Sequence, residues 1–307
     1  MRDAFIRALT DLAEVDPSIV LITGDLGFGV LTDFADRFPS QYINAGVAEQ
    51  NMTAIACGMA LEGYKTYTYS IANFPTLRCL EQIRNDICYH DANVTIVSVG
   101  AGFSYGSLGM SHFATEDLAI MRALPNMEVV APADPWEAAE LTRQMADRPG
   151  PKYLRIDKGC AGLPDDTGSL QLGRHRVVGE GKDITIVTIG AIAHEALVAQ
   201  KRLAETGIAS SVVILNCLKP LDESAIAATL SSSRVILTLE EHNIVGGLGS
   251  AIADICLEHD VRPAKFAKIG LKDIYPSVVG DQEFLRNEYK MSADHVFKIA
   301  QDNVQSG

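Results

Sequence analysis

The chain has 307 residues, 47% hydrophobic and 21% charged, a soluble globular composition long enough for about two domains of ordinary size. Its formal charge is -13 and no Lys/Arg run stands out, which argues against nucleic acid and anionic membrane as partners. No apolar run reaches the length of a membrane span, and Met1-Arg2-Asp3 leads into an amphipathic helix pattern without a signal-peptide core, so a cytoplasmic location is expected.

The cysteines, Cys57, Cys79, Cys88, Cys160, Cys217 and Cys256, form no Cys-x-x-Cys pair and read as buried reduced thiols. The histidines are scattered without metal-ligand spacing, so no metal site is expected in this chain.

In chain order, Asp3 to Glu14 carries a helix pattern and Ile19 to Thr23 is a short apolar strand. The turn Gly24-Asp25-Leu26-Gly27 follows at once, where an open α/β sheet places ligand contacts. Asp25 there either touches a ligand or caps the next helix. Asn44 and Gly46 are turn formers, after which Ala48, Met52, Ile55, Ala56, Met59 and Ala60 recur at helical spacing, with Gly63 as the stop. Glu49 sits in the first turn of that helix. It either complements the positive end of the helix dipole or is buried and bonded to something specific.

Thr66 to Ser70 reads as a strand, and Phe74 lies at its end before Pro75, as core or as a ring face for an aromatic ligand. Val94 to Val99 is a continuous apolar strand of the kind buried on both faces. It runs into a glycine-rich loop that His112 closes, a position suited to catalysis or ligand contact. Thr115 is expected to cap the helix that holds Glu116 and Asp117. Glu128 to Ala131 and Lys152 to Ile156 are further strands. Arg155, inside the latter, needs either a buried partner or an anionic ligand.

Residues 159–182 are rich in Gly, Asp and Ser and read as a linker between a domain over 1–158 and one over 183–307. From Asp183 the alternation restarts, with strands at Ile184 to Ile189, Val212 to Leu215, Val235 to Leu239 and Phe266 to Ile269. Helices are expected at Ala191 to Glu205, Asp222 to Leu230, Gly247 to His259 and Asp281 to Gln301. The fold class is therefore α/β, two doubly wound domains with mostly parallel sheets. The conspicuous loop from Glu240 to Gly249 has no G-x-G-x-x-G pattern and is weak evidence for a nucleotide site.

The order of these pieces resembles the C-terminal half of transketolase. The matching stretches are Gly24-Asp25-Leu26, Asn44 to Met52, Glu81-Gln82-Ile83, Gly106 to His112, Glu116 to Ala119, Met121-Arg122, Pro125 to Met127, Tyr153 to Arg155 and Glu240 to Gly249. The resemblance implies a pyrimidine-binding domain, a transketolase C-terminal domain, and thiamine diphosphate as cofactor. It implies that Glu49 bonds the cofactor's pyrimidine ring and promotes the imino form that activates the thiazolium carbon. It also implies that Phe74 stacks on that ring, that Asp25 lies at the cofactor site, that His112 contacts substrate hydroxyls, and that Arg155 lies near a substrate-phosphate site.

Two departures shape the expected function. The family's Gly-Asp-Gly…Asn site for diphosphate and Mg²⁺ has no counterpart here, so a separate N-terminal-half subunit is expected to hold both, in an α2β2 assembly. Leu108 stands where the family often has an Asp that reads a sugar hydroxyl, so the sugar phosphates used are expected to differ. The expected activity is two-carbon ketol transfer by a split transketolase. The alternatives are the beta subunit of a 2-oxo-acid dehydrogenase decarboxylase and a non-catalytic assembly paralogue.

Overall fold

A computed structural model describes residues 1–305; the last two residues of the expected second domain lie outside it. Among the described residues, twelve strands are distributed over two sheets: β1 (Ile19–Thr23), β2 (Tyr42–Asn44), β3 (Lys65–Ile71), β4 (Val94–Val99), β5 (Glu128–Val130), β6 (Lys152–Ile156), β7 (Arg176–Val178), β8 (Ile184–Ile189), β9 (Ser210–Leu215), β10 (Cys217–Lys219), β11 (Val235–Asn243) and β12 (Lys265–Leu271). The first sheet runs β10-β5-β6-β4-β3-β1-β2 and the second β12-β11-β8-β9-β7. All pairings are parallel except β10 with β5 and β7 with β9, at one edge of each sheet. Parallel strands are covered on both faces, and β1, β4, β6, β8 and β9 are buried along their whole length.

The order of the first sheet positions the site. β4, β3 and β1 are neighbours, so the turns after their carboxyl ends share one edge: residues 24–29 after β1, 72–76 after β3 and 100–112 after β4. The helix Glu49–Leu61 returns the chain from β2 to β3. Met52 and Ala56, one turn apart, join Val20, Ile22, Val94 and Ile96 in one core cluster. Phe5, Ile6 and Leu9 of the helix Arg2–Val15 form another cluster with Leu21, Tyr67 and Val97. Side chains alternate across a strand, so these two clusters lie on opposite sheet faces and the Glu49 helix has a fixed seat.

Several expectations are corrected. The stretch read as a linker contains β7, which pairs antiparallel with β9, so the second sheet begins before Asp183. β10 leaves the second half of the chain and completes the first sheet beside β5. The helix expected from Asp281 to Gln301 is two helices, Gln282–Glu288 and Ala293–Gln305. The break is at Lys290, a non-glycine residue at φ 61. Thr115 does not cap: its hydroxyl has no hydrogen-bond partner, and the residue preceding helix Asp117–Ala123 is Glu116. Five of the cysteines are buried, but Cys160 is exposed. No helix among the described residues is long and apolar enough to cross a membrane.

The loop expected from Glu240 to Gly249 is also corrected: Glu240 to Asn243 are the end of β11, Leu248 and Gly249 open the next helix, and residues 244–247 alone make the turn between them; this stretch joins the domains. Glu240 accepts from the amides of Leu248 and Gly249 at 2.7 and 2.8 Å, securing the start of helix Leu248–Glu258. Glu241 reaches into the first domain, accepting from the Phe103 amide at 2.5 Å and from Gln282 Nε2 at 2.9 Å, and it is ion-paired with Arg286. Burial pushes the Glu241 carboxyl up from its ordinary value, and the Arg286 guanidinium opposes that shift. Gly102 has φ +52, and a Cβ there would collide with the Glu241 carboxylate, so only glycine lets the two lobes close here.

Candidate active site

Glu49 opens its helix and is only 3% exposed, so of its two readings the buried one holds. Gly24 makes room for it: a Cβ at Gly24 would stand 3.3 Å from Glu49 Cγ. Oε2 accepts from Arg78 Nη1 at 2.7 Å, while Oε1 has no hydrogen bond among the described residues. A carboxylate that is almost wholly buried, with one oxygen free of any described protein donor, is a group able to take a ligand's donor.

Arg78 carries no signal in the sequence, although it lies one turn beyond Phe74. Its guanidinium carbon stands 4.6 Å from the Phe74 ring centroid, so one cation bridges the acid and the ring. Phe74 is half-buried and meets the His112 imidazole in a T-shaped contact, centroids 5.1 Å apart. Tyr105 lies on from there, its ring 6.3 Å from His112. Burial holds the His112 imidazole below its usual value of 6.5, which keeps it neutral at pH 7. Its Nδ1 is 3.0 Å from Ser111 Oγ, and no protein group among the described residues bonds Nε2. Glu49, Phe74 and His112, far apart in sequence, are thus joined in one chain of contacts that runs through Arg78.

Asp25 is exposed and does not cap a helix. Its backbone takes φ 56, and it exchanges two hydrogen bonds with Asn44, at 2.9 and 3.1 Å, tying the ends of β1 and β2 beside Gly24. Leu108 is 54% exposed at the loop tip.

Arg155 is not brought to these contacts. It is 4% exposed, and its Nε donates to Asp117 Oδ2 at 2.7 Å while Nη2 donates to the carbonyls of Ala114 and Glu241 at 2.8 and 3.1 Å. Tyr153 donates to the same Asp117 oxygen at 2.6 Å. Of its two readings the buried partner fits, because Nε and Nη2 both serve the interior. Three residues on, Lys158 is exposed at the end of β6, with Nζ 3.5 Å from the centroid of Tyr105. Lys158, Arg2 and Tyr105 line a cavity of about 240 Å³. Lys158 is invisible to a sequence reading because a lone Lys after a strand carries no pattern.

Two family models match: Transketolase, pyrimidine binding domain, over residues 1–162, and Transketolase, C-terminal domain, over residues 173–296. The chain is 35% identical to a putative transketolase C-terminal section of Methanocaldococcus jannaschii, covering 99% of this chain and 96% of the relative. It is 34% identical to one subunit of an apulose-4-phosphate transketolase of Phocaeicola vulgatus, covering 99% and 97%. Among solved structures, a split gene transketolase described as an inactive beta4 tetramer superposes with a TM-score of 0.87 at 36% identity, covering 99% of this chain and 97% of that one. A Pichia stipitis transketolase mutant shares the fold, with a TM-score of 0.79 at 23% identity, and this chain covers 45% of it.

Proposed function

The chain belongs to the transketolase family and carries its pyrimidine-binding and C-terminal domains; from this premise we propose that it is the C-terminal subunit of a split, thiamine diphosphate-dependent transketolase. In this reading it moves a two-carbon ketol unit between sugar phosphates together with an N-terminal-half subunit that holds the cofactor's diphosphate and Mg²⁺, in an α2β2 assembly. The single observation that carries the reading is the buried Glu49 carboxylate, with one oxygen free of any described protein donor, joined through Arg78 to the half-buried Phe74 ring. Relatives of similar length, one named as a transketolase section and one as a transketolase subunit, support the split form.

The residues fit a flat heteroaromatic ring with nitrogen atoms. Phe74 offers a stacking surface. Glu49 offers a carboxylate to a ring nitrogen at a depth where water competes poorly. Bound thiamine diphosphate supplies the carbanion chemistry that ketol transfer requires. Glu49 holds the ring's proton at its carboxylate, and Phe74 fixes the ring plane. Asp25 and Asn44 brace the turn at the cofactor site. His112, neutral at pH 7, presents Nε2 to a substrate hydroxyl as donor or acceptor. Lys158, not Arg155, faces solvent beyond Tyr105 and suits the anionic end of a sugar phosphate. Leu108 at the loop tip adds an apolar contact where a sugar hydroxyl would otherwise be read.

The test is reconstitution. The chain alone is expected to show no ketol transfer, and mixing with its cognate subunit, thiamine diphosphate and Mg²⁺ to restore it. Transfer to lipoamide instead of an aldose phosphate would assign the chain to the 2-oxo-acid dehydrogenase type. A complex that assembles but stays inactive with every cognate partner and sugar phosphate would assign it to assembly alone.

A further inference from the structure

We propose that Arg78 is a placeholder for the cofactor's ring: in the unloaded chain its guanidinium covers Phe74 and neutralises Glu49, and cofactor binding displaces it. The inference rests on the function proposed above, and it begins from one side chain touching both groups that a pyrimidine would use. Nη1 lies 2.7 Å from Glu49 Oε2, and the guanidinium carbon lies 4.6 Å from the Phe74 centroid. A guanidinium is planar, cationic and rich in N–H donors. It therefore stacks on the ring and donates to the acid, which are the two things an aminopyrimidine does there. A ring bonded to Glu49 and stacked on Phe74 needs the volume that the guanidinium fills.

The unloaded chain has a physical reason to keep such a group. Without any donor, Glu49 is a buried carboxylate lacking a counter-charge, which is strongly destabilising. The geometry also allows departure. The Arg78 side chain is 46% exposed although Glu49 is not. Its backbone is anchored: the Arg78 carbonyl accepts from Gln50 Nε2 at 3.1 Å, and the neighbouring Cys79 thiol donates to the Phe74 carbonyl at 3.3 Å. Displacement is therefore a swing of one long side chain about a fixed turn. The ligand must compete with that internal contact, so its apparent affinity falls by the fraction of chains in which the site is open.

The test measures cofactor binding and stability, not turnover. Arg78→Met is expected to lower the melting temperature of the isolated chain. It is also expected to tighten thiamine diphosphate binding to the assembled complex, titrated calorimetrically with Mg²⁺, by about threefold to fivefold, the scale of a half-exposed ion pair. Arg78→Lys keeps the charge without the planar stack; it should preserve the melting temperature and fall between wild type and Met in affinity, and it serves if the Met variant does not fold. An affinity within about twofold of wild type, or weaker, for both variants overturns the placeholder while leaving the functional reading intact. A wild-type complex that binds no thiamine diphosphate overturns both.

Discussion

The Phe74 ring and the His112 imidazole meet at a steep angle, 67° between planes, with centroids 5.1 Å apart. One residue follows β3 and the other ends the loop after β4, so this contact couples neighbouring strand ends, and the aromatic wall supplies part of the burial that keeps the imidazole neutral. Phe74→Ala is therefore expected to admit water and move the His112 titration up toward 6.5, followed by the Cε1–H resonance. The folded His112 value is depressed, so as pH falls through 6.5 the unfolded chain takes up the proton first. Stability from this group is complete above 6.5 and declines as pH drops toward the depressed folded value. A His112 midpoint at or above 6.5 in the native chain would contradict the packing described.

Glu49→Gln keeps the size of the side chain and removes its charge. It is expected to lower turnover of the reconstituted enzyme by about 10²–10⁴-fold, the usual range for a lost proton-handling group. Assembly and circular dichroism should stay as in wild type. Full activity in this variant would remove Glu49 from the chemistry.

Arg155 and Lys158 make a paired comparison. Arg155→Met strands the buried Asp117 and should cost about 3–5 kcal/mol in denaturant unfolding. Lys158→Met removes an exposed cation–ring contact with Tyr105 and should cost no more than about 1 kcal/mol. It should raise KM for a phosphorylated sugar about tenfold, the worth of one charge-assisted contact. The reverse pattern would return the phosphate role to Arg155.

At the domain junction, Arg286 faces Glu241, Asp157 at 3.8 Å and Glu195 at 3.4 Å. Arg286→Met leaves Glu241 buried with no cation against it and should cost about 3–5 kcal/mol. The double variant with Glu241→Gln should recover part of that loss. Strict additivity of the two single changes would mean that the pair is not coupled.

The sequence made the strands legible where apolar runs are continuous: β4, β6 and β8 lie at the expected bounds. Such a run has few alternatives once both faces are to be covered. β2, β7 and β10 are three residues each and exist only because a neighbour supplies their hydrogen bonds, so no local pattern announces them. Glu49 stands out because a carboxylate among small apolar neighbours is chemically odd. Arg155 stands out for the same reason, yet its answer is internal, since an isolated Arg does not reveal whether its partner is protein or ligand. Arg78 is silent: a polar residue after Pro75 reads as surface until the turn brings it over Phe74.

β10 gives the chain a property that its two-lobed outline hides. The outer edge of the first sheet is made from residues translated after three of the second sheet's five strands, so a polypeptide ending near residue 182 would present β5 as an open backbone ladder, ready to pair with another molecule. The lobes should melt in a single cooperative transition, and a gene break between them would release an aggregating fragment instead of a usable module.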